Sequence, residues 1–341
     1  MPDSVAPPKR TNRRATRAGL RELLKPDGPV PAQRPRTLPF RSVERYIFVA
    51  VAKTARVISV QPRVPAIPAS VHRGRVEHVI TCMRASLDTP LRLEDMARIA
   101  HLSPFHFERV FSSLTGLSAA AFQAASRLDA AKRALLEGNT SITEVCFALG
   151  YDSLGSFTTR FTRAVGLSPA AFRARVSQFE GIDMRDVLHA AAARAAVGQS
   201  DNPAIRVVLE HARTDDAIAW FGAFPKGIPD RPPSSGTIAI GNATFGLGPL
   251  ASGIHHVLAA SYPPSPSIAD YLVQHQQMRV ATSGPMRVGD GEPIAILLQL
   301  RKLEMTDPPI LLALPLFTLR PQAGRSVDAS AADTFVPFTS P

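Results

Sequence analysis

The sequence predicts a multidomain chain: an all-α domain built from a duplicated unit, then an all-β, sandwich-like domain, with a basic proline-rich segment ahead of both. Three observations predict it. Residues 94–122 recur fifty positions later, with Glu94/Glu144, Ser103/Ser153, Phe107/Phe157, Phe111/Phe161, Gly116/Gly166, Leu117/Leu167, Ser118/Ser168, Ala120/Ala170, Ala121/Ala171 and Phe122/Phe172 identical at one offset without a gap. Beyond residue 203 the apolar period falls from 3.6 to 2. The net charge of +11 is divided unevenly, +10 in residues 1–70, +4 in 71–176 and −3 in 177–341.

Residues 1–70 hold eleven prolines and scattered arginines without a sustained period. Such a segment buries too little apolar surface to offset chain entropy and is expected to be disordered. Arg13, Arg14, Arg17 and Arg21 would suit a helix touching phosphates, against the plainer reading of a solvated leader. Tyr46 to Val60 reads as a strand or short helix docked on a domain, and the sequence does not decide between them.

The helical domain is expected over 74–175. Val76, Val79, Ile80 and Met83 form one leading amphipathic stripe. In the first copy, Leu93, Met96, Ala97 and Ala100 make a short helix, His101 and Leu102 break it, and Ser103-Pro104 opens the next as N-cap and first helical residue. Phe107, Val110, Phe111 and Leu114 share a face that ends at Gly116. In the second copy, Ile142, Val145, Cys146 and Leu149 precede the turn Gly150-Tyr151-Asp152; Ser153 caps, and Phe157, Phe161 and Val165 follow up to Gly166. This layout is a helix-turn-helix, and two of them are two candidate major-groove readers. Between them Ser118 caps a helix to Glu137. About twenty residues at 1.5 Å each give about 30 Å, close to the roughly 34 Å between major grooves on one face of B-DNA.

Residues 176–203 are expected to link the domains, with Asp186 to Val197 helical and Gly198 to Pro203 a flexible joint. Over 204–320 the alternations Ile205/Val207/Leu209, Ile218/Trp220, Ile238/Ile240, Ile254/His256/Leu258, Ile294/Ile296/Leu298/Leu300 and Leu312/Leu314/Leu316 predict short strands. Pro232-Pro233, Gly246-Leu247-Gly248-Pro249 and Gly289-Asp290-Gly291 punctuate them. Several strands are apolar on both faces, as strands between layers would be. Residues 321–341 are expected to be a disordered tail.

Other chemistries find little support. The chain has no G-x-S-x-G, H-E-x-x-H, Walker A loop or C-x-x-C, so no catalytic residue, metal site or cofactor is expected. His255 and His256 are neighbours on a strand and would point to opposite faces, His275 lies in a polar run, and the lone Trp220 reads as core. Cys82 and Cys146 both fall on apolar helical faces, which favours packing and a reducing compartment. No run reaches the roughly 18 apolar residues of a membrane span.

Residues 74–175 resemble the DNA-binding domain of the AraC/XylS family. LEDMARIAHLSPFHFERVFSSLTGLS resembles its first unit and ITEVCFALGYDSLGSFTTRFTRAVGLSPAAFR its second. The stretches AWFGAFPKGIPDRPP, ASGIHHVLAASYPP and DPPILLALP resemble the C-terminal β domain of some bacterial AraC-type regulators and, more distantly, transthyretin-like or carboxypeptidase-regulatory sandwiches. The resemblance implies a cytoplasmic, sequence-specific transcription regulator, usually an activator that recruits RNA polymerase to promoter DNA, with the β domain receiving a signal such as a small-molecule effector. The alternative is a ligand-independent DNA-binding or scaffolding protein whose β domain docks partners; neither fixes an oligomeric state. It also implies the DNA-facing residues Phe105, His106, Glu108 and Arg109 on the first recognition helix and Leu154, Gly155, Ser156, Thr159, Arg160 and Arg163 on the second. Where the family commonly repeats an arginine, Arg109 is matched here by Thr159, and Arg160 lies one residue further round the helix.

Overall fold

The structure is a computed structural model. It describes residues 56–58, 69–197, 203–210, 216–229, 232–289, 291, 293–313, 316, 320–321 and 327–328. Arg13, Arg14, Arg17 and Arg21, whether helix or solvated leader, and the joint at 198–202 lie outside the described residues.

Among the described residues eight helices run α1 Ala69–Ala85, α2 Leu93–Ile99, α3 Pro104–Thr115, α4 Ala119–Glu137, α5 Ile142–Ala148, α6 Leu154–Val165, α7 Pro169–Ser177 and α8 Met184–Val197. Their boundaries follow local chemistry. The hydroxyls of Ser103, Ser118, Ser141, Ser153 and Ser168 each accept an N–H of the first turn, and Gly116, Gly138 and Gly166 close α3, α4 and α6 in the left-handed conformation.

The strands are β1 Arg56–Ile58, β2 Ile205–Glu210, β3 Ile218–Phe224, β4 Ser235–Ile240, β5 Ala243–Leu247, β6 Gly253–Tyr262, β7 Arg279–Val288, β8 Ile294–Gln299, β9 Arg301–Lys302, β10 Arg320–Pro321 and β11 Val327–Asp328. One sheet has the order β4-β3-β6-β7-β9 and is antiparallel; the other, β1-β8-β2-β5, is mixed, because β8 runs parallel to both β1 and β2. The two faces of β3 belong to different cores. Ala219, Phe221 and Ala223 meet Val207, Leu209, Ile296 and Leu298 between the sheets, while Ile218 and Trp220 turn outward to α8. The two-sided apolarity of β3 thus reflects three layers: sheet, sheet and helix.

Four expectations are corrected. Arg56–Ile58, inside the segment expected to be disordered but within the stretch Tyr46 to Val60 read as a strand or short helix, is a strand paired with the edge of β8. Val327–Asp328, in the expected tail, pairs with Arg320–Pro321; backbone pairing leaves no signature in composition. Gly246-Leu247 closes β5 rather than opening a turn. Leu311, Leu312 and Ala313 are in no strand; they are buried because they pack under the second helix-turn-helix unit.

In the stretch between the two domains, Leu188, Ala191 and Ala192 of α8 are buried in one core with Leu128, Leu135, Phe157 and Phe161 of the helical domain and Trp220, Ile238 and Tyr262 of the β domain. The Met184 N–H donates to Pro266 O at 3.1 Å. The first unit instead has a core of its own, from Val76, Ile80, Met83, Met96, Phe107, Phe111 and Phe122. At about 1.5–3 kcal/mol per large buried side chain, each core is ample to hold its helices.

Candidate nucleic-acid interface

Each recognition helix is set by a turn and by the helix before it. In the first unit the left-handed residue is His101, at φ 52°, and Leu102 N–H donates to Ala97 O at 3.0 Å. In the second it is Gly150, at φ 68°, and Tyr151 N–H donates to Cys146 O at 3.2 Å. These pairs are 49 positions apart, as are the buried pairs Met96/Val145, Ala97/Cys146 and Ala100/Leu149, whereas α3 and α6 begin 50 apart. The second turn therefore contains one extra residue, at Asp152-Ser153. The gapless register breaks there, and Glu144 corresponds to Asp95 rather than to Glu94.

Two arginines that sequence reasoning missed hold these turns. Arg75 of α1 donates to Ala100 O and His101 O, both at 3.4 Å. Arg127 of α4 is buried, donates to Leu149 O through Nε at 2.9 Å and again through its terminal nitrogen, and lies 4.2 Å from the centre of the Tyr151 ring. The signal available for the second was an arginine beside the apolar stripe of Ala125, Leu128 and Ala131. The α5 start is likewise firmer than that of α2: Ser141 and Glu144 form a reciprocal capping box, while Arg92 offers α2 no side-chain cap. This bond holds the Glu144 carboxyl below its ordinary range.

On α3, Phe105 is 80% exposed and Arg109 is exposed. His106 is half-buried and stacks edge-on against His72 at 5.4 Å. Glu108 is half-buried. Its carboxylate accepts from the Ala119 N–H at 3.3 Å and from Ser112 Oγ at 3.4 Å, which draws it to the positive N-terminus of α4. On α6, Leu154, Gly155, Ser156, Thr159, Arg160 and Arg163 are all exposed. A Cβ at Gly155 would meet nothing within 4 Å, so this glycine leaves open surface rather than room for a neighbour. Ser156 and Thr159 donate their hydroxyl protons to Ser153 O and Gly155 O, leaving only lone pairs to offer outward. The 19 residues of α4 separate the two surfaces; at 1.5 Å each they span about 28 Å.

A helix-turn-helix domain profile matches residues 96–175. The Tn10 TetD protein of Escherichia coli is 30% identical over 102 residues, 30% of this chain and 74% of TetD. The chain belongs to the AraC/XylS family. A second family relative, the uncharacterized HTH-type transcriptional regulator YobQ of Bacillus subtilis, is 33% identical over 135 residues, 40% of this chain and 56% of YobQ. The chain thus spans little more than half of that relative. Among solved structures, a transcriptional regulator from Chromobacterium violaceum with an AraC-type DNA-binding domain is 23% identical, over 31% of this chain and 95% of that one, with a TM-score of 0.30.

Proposed function

We propose that this protein is a transcription regulator that binds promoter DNA through α3 and α6 and receives its signal through the β domain. The observation that carries the reading is the pairing of two exposed recognition helices on one stiff helix of about the length of a DNA turn. Phe105 and Arg109 read bases in one half-site, Arg109 suiting a guanine edge and Phe105 a thymine methyl. The α6 surface has fewer donors. Arg160 and Arg163 supply phosphate contacts there, and Leu154 and Gly155 allow close approach without a hydrogen bond to a base.

The similarity to YobQ, an HTH-type transcriptional regulator, supports regulation as the role of the matched region. Activation through RNA polymerase, a cytoplasmic setting and the absence of catalysis complete the reading. Among the described residues no helix is long and apolar enough to cross a membrane.

Selection of the full chain against a randomised duplex pool, at two salt concentrations, tests it. Enrichment of a bipartite site with half-sites about 10 base pairs apart is expected, with affinity falling steeply as salt rises. No enriched sequence, or binding indifferent to salt, would remove DNA recognition and leave a partner-docking scaffold.

A further inference from the structure

A cleft of about 720 Å³ lies where the end of α1 and the middle of α4 face the β domain. One wall comes from α1 through Arg84, the following Leu87, and α4 through Asp129 and Arg133; the other carries His275, Lys302 and Met305. The volume is in the range of sites that enclose a small organic molecule.

Two lining side chains carry a buried polar atom without a hydrogen-bond partner among the described residues, Asp129 Oδ1 and His275 Nε2. The other Asp129 oxygen accepts from Arg133 Nε at 3.0 Å, and Arg133 is further fixed by a bond to Gln274 O at 2.7 Å, so the carboxylate is held in place with one oxygen to spare. A buried polar atom left unpaired carries an uncompensated desolvation cost, which a ligand that pairs it relieves. Arg84 is exposed, makes no hydrogen bond or ion pair among the described residues, and lies within electrostatic reach of Asp129. Behind His275 the wall is aromatic: Tyr262 lies 5.8 Å from His275, and Trp220 contacts Tyr262 and Tyr271 edge-on.

A carboxylate with one oxygen unpaired and an exposed guanidinium without a protein partner among the described residues, beside apolar Leu87 and Met305, suit a ligand bearing both charges and an apolar body. A dianion such as phosphate would meet the Asp129 and Glu304 carboxylates. We infer that this cleft binds a small amino carboxylate, its ammonium on Asp129 and its carboxylate on Arg84, with His275 completing the ammonium or carboxylate contacts. Bound there, it bridges α1 and α4 to the β domain and fixes the first unit against it. The site deepens the sensing role proposed above and rests on that reading only for its consequence, not for binding.

Isothermal titration of the full chain with each of the twenty common L-α-amino acids tests the site without DNA present. At least one is expected to bind once per chain with a Kd below about 1 mM. The matching amine lacking the carboxylate, and the matching acid lacking the ammonium, should each bind at least about tenfold more weakly, as should Arg84→Met and His275→Leu proteins of unchanged melting temperature. No binding of any amino acid at about 10 mM overturns the site, since affinity would lie beyond the range of a small-molecule sensor. Equal binding of the amine or the acid alone overturns the two-charge assignment, and binding unaffected by both substitutions places the ligand elsewhere. Binding that leaves the affinity for selected DNA unchanged would uphold the site and remove its part in sensing.

Discussion

The first helix-turn-helix unit keeps its core to itself, whereas the second shares one with the β domain. The connecting helix α4 is divided between them: Phe122 packs into the first core, Leu128, Ala131 and Leu135 into the second. The second unit is also tied at both ends to residues beyond β9, by Lys132 Nζ donating to Ile310 O at 3.0 Å and Ala313 N–H donating to Val165 O at 3.2 Å. The first meets the β domain through polar contacts: Arg73 to Glu304 at 2.7 Å and Thr81 Oγ1 to Met305 Sδ at 3.7 Å. Copies with the same fold have thus acquired different mechanical roles, the second as an anchor and the first as a unit carried on α4. Any signal that reaches DNA spacing has more freedom to act on the first.

The turns give the sharpest way to break this comparison. A Cβ at Gly150 would stand 1.8 Å from Asp88 O, in a backbone conformation with φ of 68°. Gly150→Ala therefore combines left-handed strain with a backbone clash and is expected to cost about 3–5 kcal/mol. His101 already holds the matching conformation with a side chain, so His101→Gly should change stability by less than about 1 kcal/mol. Urea denaturation of both full-length variants checks the pair. Equal losses would show that the two turns are equivalent after all.

A somewhat smaller effect is expected at Lys132, fully buried in α4. Desolvation pushes its ammonium down to about 8, with Asp129 opposing and Arg133 adding to the shift. The unfolded chain keeps this proton up to the ordinary lysine range, so between about pH 8 and 10.5 the unfolded state binds more protons and stability rises with pH. Below the folded value both states are charged and the group contributes no slope. The gain is about 3 kcal/mol at most, and Lys132→Met should abolish it. Denaturation midpoints of both proteins at pH 7.5 and 10 measure the difference, which cancels other groups titrating in that range.

What the sequence made legible is what short-range chemistry decides. Ser103-Pro104, Ser118, Ser153, Gly116 and Gly166 mark helix ends because capping is satisfied within four residues. The extra residue in the second turn was hidden because nearly all the identities lie from Ser103 onward, and Glu94/Glu144 match by coincidence. β7 escaped notice because Thr282-Ser283-Gly284-Pro285 interrupts its alternation, and Leu312 misled because a buried strap and a buried strand carry the same apolar spacing. In the candidate interface, the exposed faces of α3 and α6 followed from helical period. The capture of Glu108 by the α4 N-terminus did not, since it depends on how two helices meet. His275, set in a polar run, is half-buried against Tyr262 for the same kind of reason.

The recognition helices differ in a way that DNA selection can sharpen. Arg109 is exposed on α3, and its counterpart Thr159 has spent its proton on Gly155 O. Arg160 occupies the position of Val110, which is buried in the first unit, and its charge acts on Tyr151 beside the turn. Arg109→Ala is expected to cost about 1–3 kcal/mol and relax specificity at one base pair. Arg160→Ala should weaken binding to all sequences alike and lower the salt slope by about one. Selection with each variant decides; altered base preference in Arg160→Ala alone would reverse the roles.

The smallest effect is expected where the first unit touches the β domain. Arg73 and Glu304 are 39% and 46% exposed, and Arg73 also lies 3.9 Å from Glu77 one turn along α1. An exposed pair gains little over its hydrated partners and is screened by salt, so a double-mutant cycle of Arg73→Ala and Glu304→Ala should give a coupling of about 0.2–1 kcal/mol at low salt and nearly none at about 1 M. The shared core of the second unit has no such dependence, because apolar burial is not screened. A coupling above about 2 kcal/mol that survives salt would mean that the first unit is docked as firmly as the second, and the distinction between an anchored and a carried unit would fall.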